Sequence, residues 1–384
     1  MEIFDVLKPN SQDFTAAVIN LNKTKLGAEV CFYDEDLNFR DFSFTLVCVN
    51  DTRGNTNTQQ PIDFEQIKYE LYKLEQGNWN FSILDLGLIE AGNTVSDTYY
   101  ALQKVIHFIL KHKSIPLILG GSQDLCYYQY RAYDGIKYMV NMTNIDVKFD
   151  LGDSNAELNN ASFLSHMIVD KPYNLFNYCN LGYQTYLNSQ EEIKLLDKLF
   201  FEAYRLGEIT GDIKTVEPSL RDTDVLSLDI RCIETQSLGQ DDLHANGFSN
   251  REICALSRYS GLSDKVSSFG IYELQYLKSK TSKQLTAQII WYFIEGTMYR
   301  INERADVNNS NFLKYRVPVE DELLIFYESK LSGRWWIEIP SNLKNLNNKL
   351  KQHTLLPCDK ETYLSACDQE LPERWLKAKQ KNEF

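Results

Sequence analysis

Three charged residues spaced two positions apart are the most chemically suggestive feature of the sequence. Asp146, Lys148 and Asp150 lie in the stretch NIDVKFDLGD. Because side chains alternate between the two faces of a β-strand, a strand here would turn all three toward one face. The apolar residues between them would then point the other way. Three ionisable groups crowded at a strand end predict a functional site, or the remains of one.

The surrounding sequence alternates between predicted strands and predicted helices. Uninterrupted apolar runs predict strands over 42–49, 81–86, 115–119, 143–149, 176–183, 224–230 and 266–272. Apolar residues at helical spacing predict helices over 64–75, 95–113, 124–133, 191–204, 249–260 and 282–299. Strands that are apolar on both faces indicate a buried sheet. We therefore expect a three-layer α-β-α fold with a mostly parallel, doubly wound sheet.

Ligands of such folds bind beyond the carboxyl ends of the strands. In this sequence that edge holds residues 120–124, 146–150 and 229–231, together with Glu273. A loop rich in Gly, Asn and Thr, residues 50–61, is of the kind that lies over a site. The sequence therefore predicts that these segments meet in one place.

The alternation of strands and helices stops near residue 300. We expect a single domain over residues 1–384, consisting of a polar N-terminal arm with short strands (1–41), a core (about 42–300) and a C-terminal extension (301–384). Within the extension, 323–328 and 335–339 predict a β-hairpin, and 359–384 predicts one or two charged helices.

Composition excludes several classes of function. The formal net charge of −13 argues against a nucleic-acid partner, because the phosphate backbone requires a positive surface. Apolar runs are too short to cross a bilayer, and the first residues do not resemble a signal peptide, so we expect no membrane partner. The eight cysteines include no CxxC pair, which indicates free thiols in the cytoplasm rather than zinc or disulfide sites.

Short motifs at the strand ends carry a resemblance to a known family. GGSQD (120–124) lies where that family has GGDHS, DVKFD (146–150) where it has DAHxD, and SLDIRCIET (227–235) where it has SxDxDxxDP. GFSNREI (247–253) corresponds to GLTYREA, and Glu273 ends a late strand. In this fixed order the motifs resemble those of the ureohydrolase superfamily: arginase, agmatinase and formimidoylglutamase.

The resemblance implies a fold, a chemistry and a set of site positions. In the family, six positions bind two manganese ions, whose shared hydroxide attacks a guanidine or formimino carbon and releases urea or formamide. The equivalent positions here are Gln123, Asp146, Lys148, Asp150, Asp229 and Arg231. If that chemistry survives, the resemblance implies manganese as cofactor and Asp150 and Glu273 as catalytic residues. Glu273 would also hold the cationic end of the substrate.

Three of the six positions depart from the family ligands. Gln123 and Lys148 replace histidine, and Arg231 replaces aspartate. Lysine and arginine are cations that only donate hydrogen bonds, so neither ligates a metal at neutral pH. We expect Lys148 and Arg231 to neutralise the three aspartates in place of the ions. The sequence thus predicts a site with no cofactor.

Other interpretations of these residues stay open at this point. One is a single magnesium, calcium or manganese ion held by the oxygens of Gln123 and the three aspartates. The others are Lys148 as a surface lysine, Arg231 paired with Glu234 or Asp241, and Glu273 as a strand cap.

Three functions are compatible with this pattern. The first is a ureohydrolase-fold pseudoenzyme with a binding or regulatory role. The second is a metal-dependent hydrolase of C–N bonds in linear amidines, similar to formimidoylglutamase. The third is a metal-free protein in which Lys148 and Arg231, with Glu273, bind a small anion or an amino acid. A small-molecule ligand and a homo-oligomer are compatible with each of them.

Overall fold

The structure is a computed structural model that describes residues 3–34, 42–55, 60–239, 244–303, 305, 310–340 and 355–383. Its main sheet contains β1 (Leu7–Lys8), β2 (Val30–Phe32), β3 (Phe44–Asn50), β4 (Ile83–Glu90), β5 (Ile115–Gly120), β6 (Val140–Ile145), β7 (Leu175–Tyr183), β8 (Glu202–Arg205), β9 (Val225–Asp229) and β10 (Ser268–Tyr272). The strand order is β1-β4-β3-β5-β10-β9-β6-β7-β8, and β2 also pairs with β4. Within the described chain, β1 alone runs antiparallel to its neighbour in this sheet.

Helices cover both faces of this sheet. They are α1 (Gln12–Ile19), α2 (Phe64–Tyr72), α3 (Val95–Lys111), α4 (Leu125–Arg131), α5 (Phe163–Val169), α6 (Gln190–Lys198), α7 (Leu206–Gly211), α8 (Glu217–Arg221), α9 (Thr235–Leu238), α10 (Asn250–Gly261) and α11 (Lys280–Met298). Several begin at capping boxes, as at Ser249 and Glu252 of α10, where each side chain accepts from the other residue's backbone N–H.

The apolar core divides into two clusters, one on each face of the sheet. One cluster contains Ile67 of α2 and Phe293 of α11, and the other contains Leu102 of α3 and Tyr130 of α4. A sheet buried on both faces needs apolar residues along its whole strands, which is why the predicted strands read as continuous apolar runs. The predicted three-layer, mostly parallel α/β fold is confirmed.

Two predicted elements are wrong at their ends. The helix predicted over 191–204 ends at Lys198, and β8 follows it and pairs with β7. Phe200, between them, has a positive φ of 55°, which breaks a helix. The strand predicted over 143–149 begins at Val140 and ends at Ile145, whose partners are Leu228 of β9 and Leu181 of β7.

The N-terminal arm is more than the polar segment that the sequence predicts. It adds β1 and β2 beside β4, and its helix α1 packs Phe14 against Tyr72 of α2, with ring centroids 6.1 Å apart. Short strands were expected in this arm, but the helix was not. Residues 35–41 of the arm lie outside the described chain.

The end of the chain forms a small sheet of its own, which we name the C-terminal module (residues 310–340 and 355–383). It contains β11 (Phe312–Val319), β12 (Glu322–Ser329), β13 (Trp335–Glu338), β14 (Leu355–Cys358), α12 (Lys360–Cys367) and α13 (Glu373–Glu383). The four strands are antiparallel and lie in chain order. The predicted hairpin is therefore present as β12 and β13, but β11 and β14, which extend it, were not foreseen.

The C-terminal module packs against the β8 end of the main sheet. Arg221 of α8 donates to the carbonyl oxygens of Trp335 and Cys358 at 3.1 and 2.7 Å. From α13, Arg374 donates to Glu202 of β8 at 2.7 Å. These contacts tie the module to the core, while a single domain over residues 1–384 stays a prediction.

Candidate functional site

The carboxyl ends of four neighbouring strands bring the predicted site residues together. Gln123 follows β5, Asp146 follows β6, Asp229 is the last residue of β9, and Glu273 follows β10. These strands are adjacent in the order β5-β10-β9-β6, so residues 150 positions apart in the chain come into contact. Parallel strands end at the same edge of a sheet, and that edge is where the sequence places the site.

Arg231 forms the centre of this arrangement. Its Nη2 lies 2.5 Å from Asp229 Oδ2, and its Nε donates to the same oxygen at 2.8 Å. Nη2 also lies 3.5 Å from Glu273 Oε1 and 3.5 Å from Gln123 Oε1. Burial disfavours the guanidinium's charge, but Asp229 and Glu273 outweigh burial and hold the pKa of Arg231 well above its ordinary value. The position therefore holds a fixed cation bound to Asp229.

Lys148 does not take the position that the sequence predicts. Its side chain is exposed, whereas Asp146 and Asp150 are buried, so the three do not share one face. The reason is that β6 has ended, and the loop turns so that Asp150 adopts a positive φ of 54°. Lys148 donates its backbone N–H to Asp146 Oδ1 at 3.0 Å, but its ammonium forms no ion pair with any described residue.

Gln123 is fully buried and both ends of its amide are engaged. Nε2 donates to Asp146 Oδ2 at 2.8 Å and to Asn144 Oδ1 at 3.1 Å. Oε1 faces the Arg231 guanidinium. The amide therefore joins Asp146 to Arg231, and its oxygen is directed toward a cation that the chain itself supplies.

Glu273 is held by amide donors from three separate loops. Its carboxylate accepts from Asn55 Nδ2 at 2.5 Å, Gln275 Nε2 at 2.5 Å and Asn160 Nδ2 at 2.9 Å, and from the backbone N–H of Gln123 at 3.1 Å. Glu273 has a positive φ of 62°, which lets its own N–H donate to the carbonyl of Gly121 at 2.6 Å. The carboxylate is thus positioned by a network much larger than a strand cap needs.

The amides around Glu273 were not identified from the sequence. The loop over 50–61 was expected near the site, and Asn55 within it reaches Glu273, while residues 56–59 lie outside the described chain. Asn160 and Gln275 carry no local signal, because a lone amide in a loop is common. Asn55 and Glu273 are 218 positions apart, so no spacing rule could have paired them.

Comparison with known proteins places the chain in a family. The family model described as Arginase family matches residues 58–295, which is more than half of the chain. The chain belongs to the arginase family. A search of curated protein sequences finds no match.

Solved structures of this family share the fold. Formimidoylglutamase from Bacillus subtilis has a TM-score of 0.65 and 17% identity, with 72% of this chain and 93% of that chain covered. Trypanosoma cruzi formiminoglutamase with Mn²⁺ has a TM-score of 0.60 and 14% identity, covering 67% and 94%. Arginase from Bacillus subtilis has a TM-score of 0.58 and 17% identity, covering 66% and 98%. At this level of identity the likeness concerns the fold alone.

Two further predictions from the sequence can be compared with the structure. All eight cysteines are free thiols, in agreement with the absence of a CxxC pair. Among the helices that the structure describes, none combines the length and the apolar character needed to cross a membrane.

The buried carboxyl groups of this arginase-family site outnumber its buried cations. Burial, followed by the charge of Asp229, raises the pKa of Asp146 to about 7. Burial and the charge of Asp146 raise the pKa of Asp150 well above its ordinary range. The Oδ2 atom of Asp150 has no hydrogen-bond partner among the described residues. Burial also raises the pKa of Glu273, although Arg231 opposes that shift.

Two basic residues, Lys148 and His244, lie near the buried residues of the site. Lys148 lies there with an exposed side chain, and His244 lies within electrostatic range of it. Burial lowers the pKa of His244, and the charges of Lys148 and Arg231 lower it further. The exposed ammonium of Lys148 therefore lies near a buried guanidinium, that of Arg231, which is already bound to Asp229.

The donor set does not match a family metal centre. In the part of the chain that the structure describes, no group of three or more His, Cys, Asp or Glu side chains is arranged to hold a metal ion. Arg231 presents N–H groups toward Asp229, and Gln123 presents an N–H toward Asp146. At Asp229 and Asp146, these donors occupy lone pairs that a bound cation would otherwise use.

Proposed function

We propose that this arginase-family protein has lost the dinuclear manganese centre and has a binding or regulatory role instead of a hydrolytic one. The observation that carries the proposal is the position of Arg231, whose guanidinium bridges Asp229 at 2.5 Å and Glu273 at 3.5 Å. A fixed positive charge there opposes a divalent cation, and the repulsion is strongest where water is excluded. One carboxylate ligand of the family is at the same time replaced by that charge.

Gln123 supports the same proposal from the opposite side of the site. Its amide N–H donates to Asp146 at 2.8 Å, and a histidine at this position would instead offer a ring nitrogen to a metal. Turning the amide over would place its oxygen on Asp146 and its N–H groups on Arg231, which would leave both contacts repulsive. The hydrogen bonds therefore fix the amide with its oxygen directed away from Asp146.

A hydrolase of linear amidines remains the competing function. Asp146, Asp150, Asp229 and Glu273 are all retained, and solved relatives include a formiminoglutamase with Mn²⁺. Release of urea, ammonia or formamide from arginine, agmatine or formimidoylglutamate, in the presence of manganese, tests this function directly. We expect no turnover of any of the three by the purified protein.

Manganese titration by calorimetry tests the loss of the metal centre. We expect no tight binding by the wild-type chain. The triple variant Gln123→His, Lys148→His and Arg231→Asp restores the family ligand types, and we expect it to bind manganese. Lys148→His alone is the matched control, since it adds an imidazole while Arg231 stays in place, and it should not bind.

Two results would overturn the proposal. The first is tight binding of two manganese equivalents by the wild-type protein. The second is turnover by the wild-type protein that a chelator abolishes. Thermal melting of each variant shows whether a negative titration comes from a folded protein.

The exposed ammonium of Lys148 favours a second candidate, a metal-free site for a small anion or an amino acid. This ammonium lies near His244 and has no ion-pair partner in the described chain. Arg231 directs its Nε and Nη2 donors at Asp229. It therefore contributes less to anion binding than the sequence predicts. A melting shift with carboxylate or phosphate ligands should appear in wild type and vanish in Lys148→Met. Absence of a shift across the whole panel would reject this candidate.

A further inference from the structure

A second cavity lies at the edge of the main sheet opposite the candidate site. It has a volume of about 300 Å³ and is lined by side chains near the amino ends of β6, β7 and β8, and by α13. Its walls include Met139, Met167, Phe176 and Phe201, and among its described lining residues Lys381 of α13 alone is charged. The C-terminal module, which the sequence treats as an appendage, therefore supplies the charge in an otherwise apolar cavity.

The ammonium of Lys381 is largely buried, and none of the carboxylates that the structure describes forms an ion pair with it. Nζ donates to Asn177 Oδ1 at 2.5 Å and lies 5.1 and 5.6 Å from the ring centroids of Phe201 and Phe176. By contrast, Lys377 and Lys379 of the same helix both form ion pairs. No described carboxylate comes within 4 Å of the Lys381 amine. An ammonium has three N–H groups, so this one has capacity for an anionic acceptor.

The surroundings of Lys381 include charges of both signs. Burial lowers the pKa of Lys381 to about 8. Lys377 and Arg374 lower it further, while Glu202 and Asp222 oppose the shift. Arg374 is bound to Glu202 at 2.7 Å, and Lys265 is bound to Asp222 at 2.7 Å. The nearby carboxylates are therefore committed to other cations.

An apolar groove continues from this cavity. A neighbouring cavity of about 570 Å³ shares Met139 and Tyr173 with it. Tyr138 and Tyr173 along the groove are 71% and 53% exposed, although both are large aromatic residues. The charged lining residues of the second cavity, Asp134 and Lys137, pair with Arg131 and Asp224. One end of the groove thus carries an unmatched ammonium, and the rest is apolar or internally neutralised.

We propose that this groove binds an amphiphilic monocarboxylate, an unbranched fatty acid of short or medium chain. The carboxylate accepts from Lys381 Nζ beside Phe176 and Phe201, and the alkyl chain extends past Met139 and Tyr173 toward Tyr138. A charge-assisted hydrogen bond at one end and buried methylenes along the groove supply the affinity. The site is separate from the one at the carboxyl ends of the strands and does not depend on the function proposed for that site.

Calorimetry with the purified full-length protein tests this proposal without any substitution. The probes are hexanoate and octanoate, with acetate and octan-1-ol as comparisons. We expect octanoate to bind more tightly than hexanoate, by about fourfold for each added methylene that becomes buried. Octan-1-ol has the same chain without the charge and should bind at least about tenfold more weakly than octanoate.

Substitutions then locate the site. Lys381→Met keeps the length of the side chain and removes the charge, and it should weaken octanoate binding by at least about tenfold while leaving octan-1-ol unchanged. The matched control is Lys198→Met, which removes an exposed lysine next to Leu199 of the cavity wall. Octanoate affinity of the control should equal that of wild type.

The proposal is overturned if octanoate does not bind, or if octanoate and octan-1-ol bind equally well. It is also overturned if Lys381→Met binds octanoate as tightly as Lys198→Met does. Should Lys381→Met fail to fold, the comparison of the two eight-carbon probes in wild type still decides the question. Raising the pH above about 8 should then weaken octanoate binding, but not octan-1-ol binding, as Lys381 loses its proton.

Discussion

Two buried charge clusters lie at different places on the main sheet and are balanced in opposite ways. At the carboxyl ends of the strands, the carboxyl groups of Asp146, Asp150 and Glu273 surround the Asp229–Arg231 pair. At the β8 end, the carboxylate of Glu202 faces Arg374 and lies near Lys381. The first cluster has an excess of acid, and the second has an excess of base.

The pKa shifts show what this difference does. Burial works against the charge of Glu202, but Arg374 and a hydrogen bond from Ser219 at 2.8 Å outweigh it, so the pKa of Glu202 is lowered. Asp146 is also buried, but burial, followed by the negative charge of Asp229, raises its pKa to about 7, because no bound cation outweighs burial there as Arg374 does at Glu202. Burial by itself therefore does not decide whether a carboxyl group is ionised. The balance of neighbouring charges does, and a cluster that is left unbalanced indicates a site rather than a structural link.

Arg374→Met should have the largest effect on this comparison. It removes the guanidinium that pairs with Glu202 and also binds the carbonyl of Pro357 at 2.6 Å. Leaving a buried carboxylate without its partner should lower the free energy of unfolding by about 3–5 kcal/mol, measured by chemical denaturation. The double variant Glu202→Gln and Arg374→Met is the control, and it should lose less free energy of unfolding than Arg374→Met alone. Equal losses would mean that the pair contributes only packing.

Arg231→Met should destabilise the protein by a smaller amount. Asp229 still accepts from the backbone N–H of residue 231 at 2.7 Å, so its carboxylate keeps one strong hydrogen bond. We expect a loss of about 3 kcal/mol, at the lower end of the range for buried pairs. Arg231→Lys keeps the positive charge but loses the paired N–H donors of the guanidinium. Its free energy of unfolding should lie between those of Arg231→Met and wild type. A loss of stability as large as that of Arg374→Met would show that the two charge clusters contribute equally to the stability of the fold.

Lys381→Met should change how stability depends on pH. The pKa of Lys381 is about 8 in the folded chain, against an ordinary value of 10.5, so the unfolded chain binds more protons between those pH values. Lys381 therefore lowers stability below pH 8, and this cost disappears as the pH rises toward 10.5. Wild type should gain about 1–3 kcal/mol relative to Lys381→Met across that interval, measured by denaturation at each pH. If the free energies of unfolding of the two proteins changed with pH in parallel, the lowered pKa of Lys381 would be contradicted.

Glu90→Gln should have the smallest effect and sets the baseline for the others. Glu90 pairs with Lys8 at 2.6 Å, but the two side chains are 57% and 62% exposed. Solvent screens such a pair, so the loss should be below about 1 kcal/mol by the same denaturation assay. A loss comparable with that of Arg374→Met would mean that burial is not what separates strong pairs from weak ones here.

Much of the fold could be predicted because its signals are local. Continuous apolar runs such as the one that forms β9, and capping boxes such as Ser249 with Glu252, depend on residues a few positions apart. The helix predicted over 191–204 fails for the opposite reason. Its second half becomes β8 only because β7 and α13, distant in the chain, provide a strand partner and a cover.

The sequence by itself predicted that Gln123, Asp146, Asp229 and Glu273 meet at the site, because motifs at the ends of parallel strands must converge on one edge of the sheet. The resemblance to the family motifs also implied that Arg231 lies where the family has an aspartate. Tertiary structure decided where each charge points. The loop after β6 turns Lys148 outward and Asp150 inward, and distant loops bring Asn55 and Asn160 onto Glu273. Side-chain direction after a strand ends depends on backbone angles and on contacts between remote segments, and neither is encoded in residue spacing.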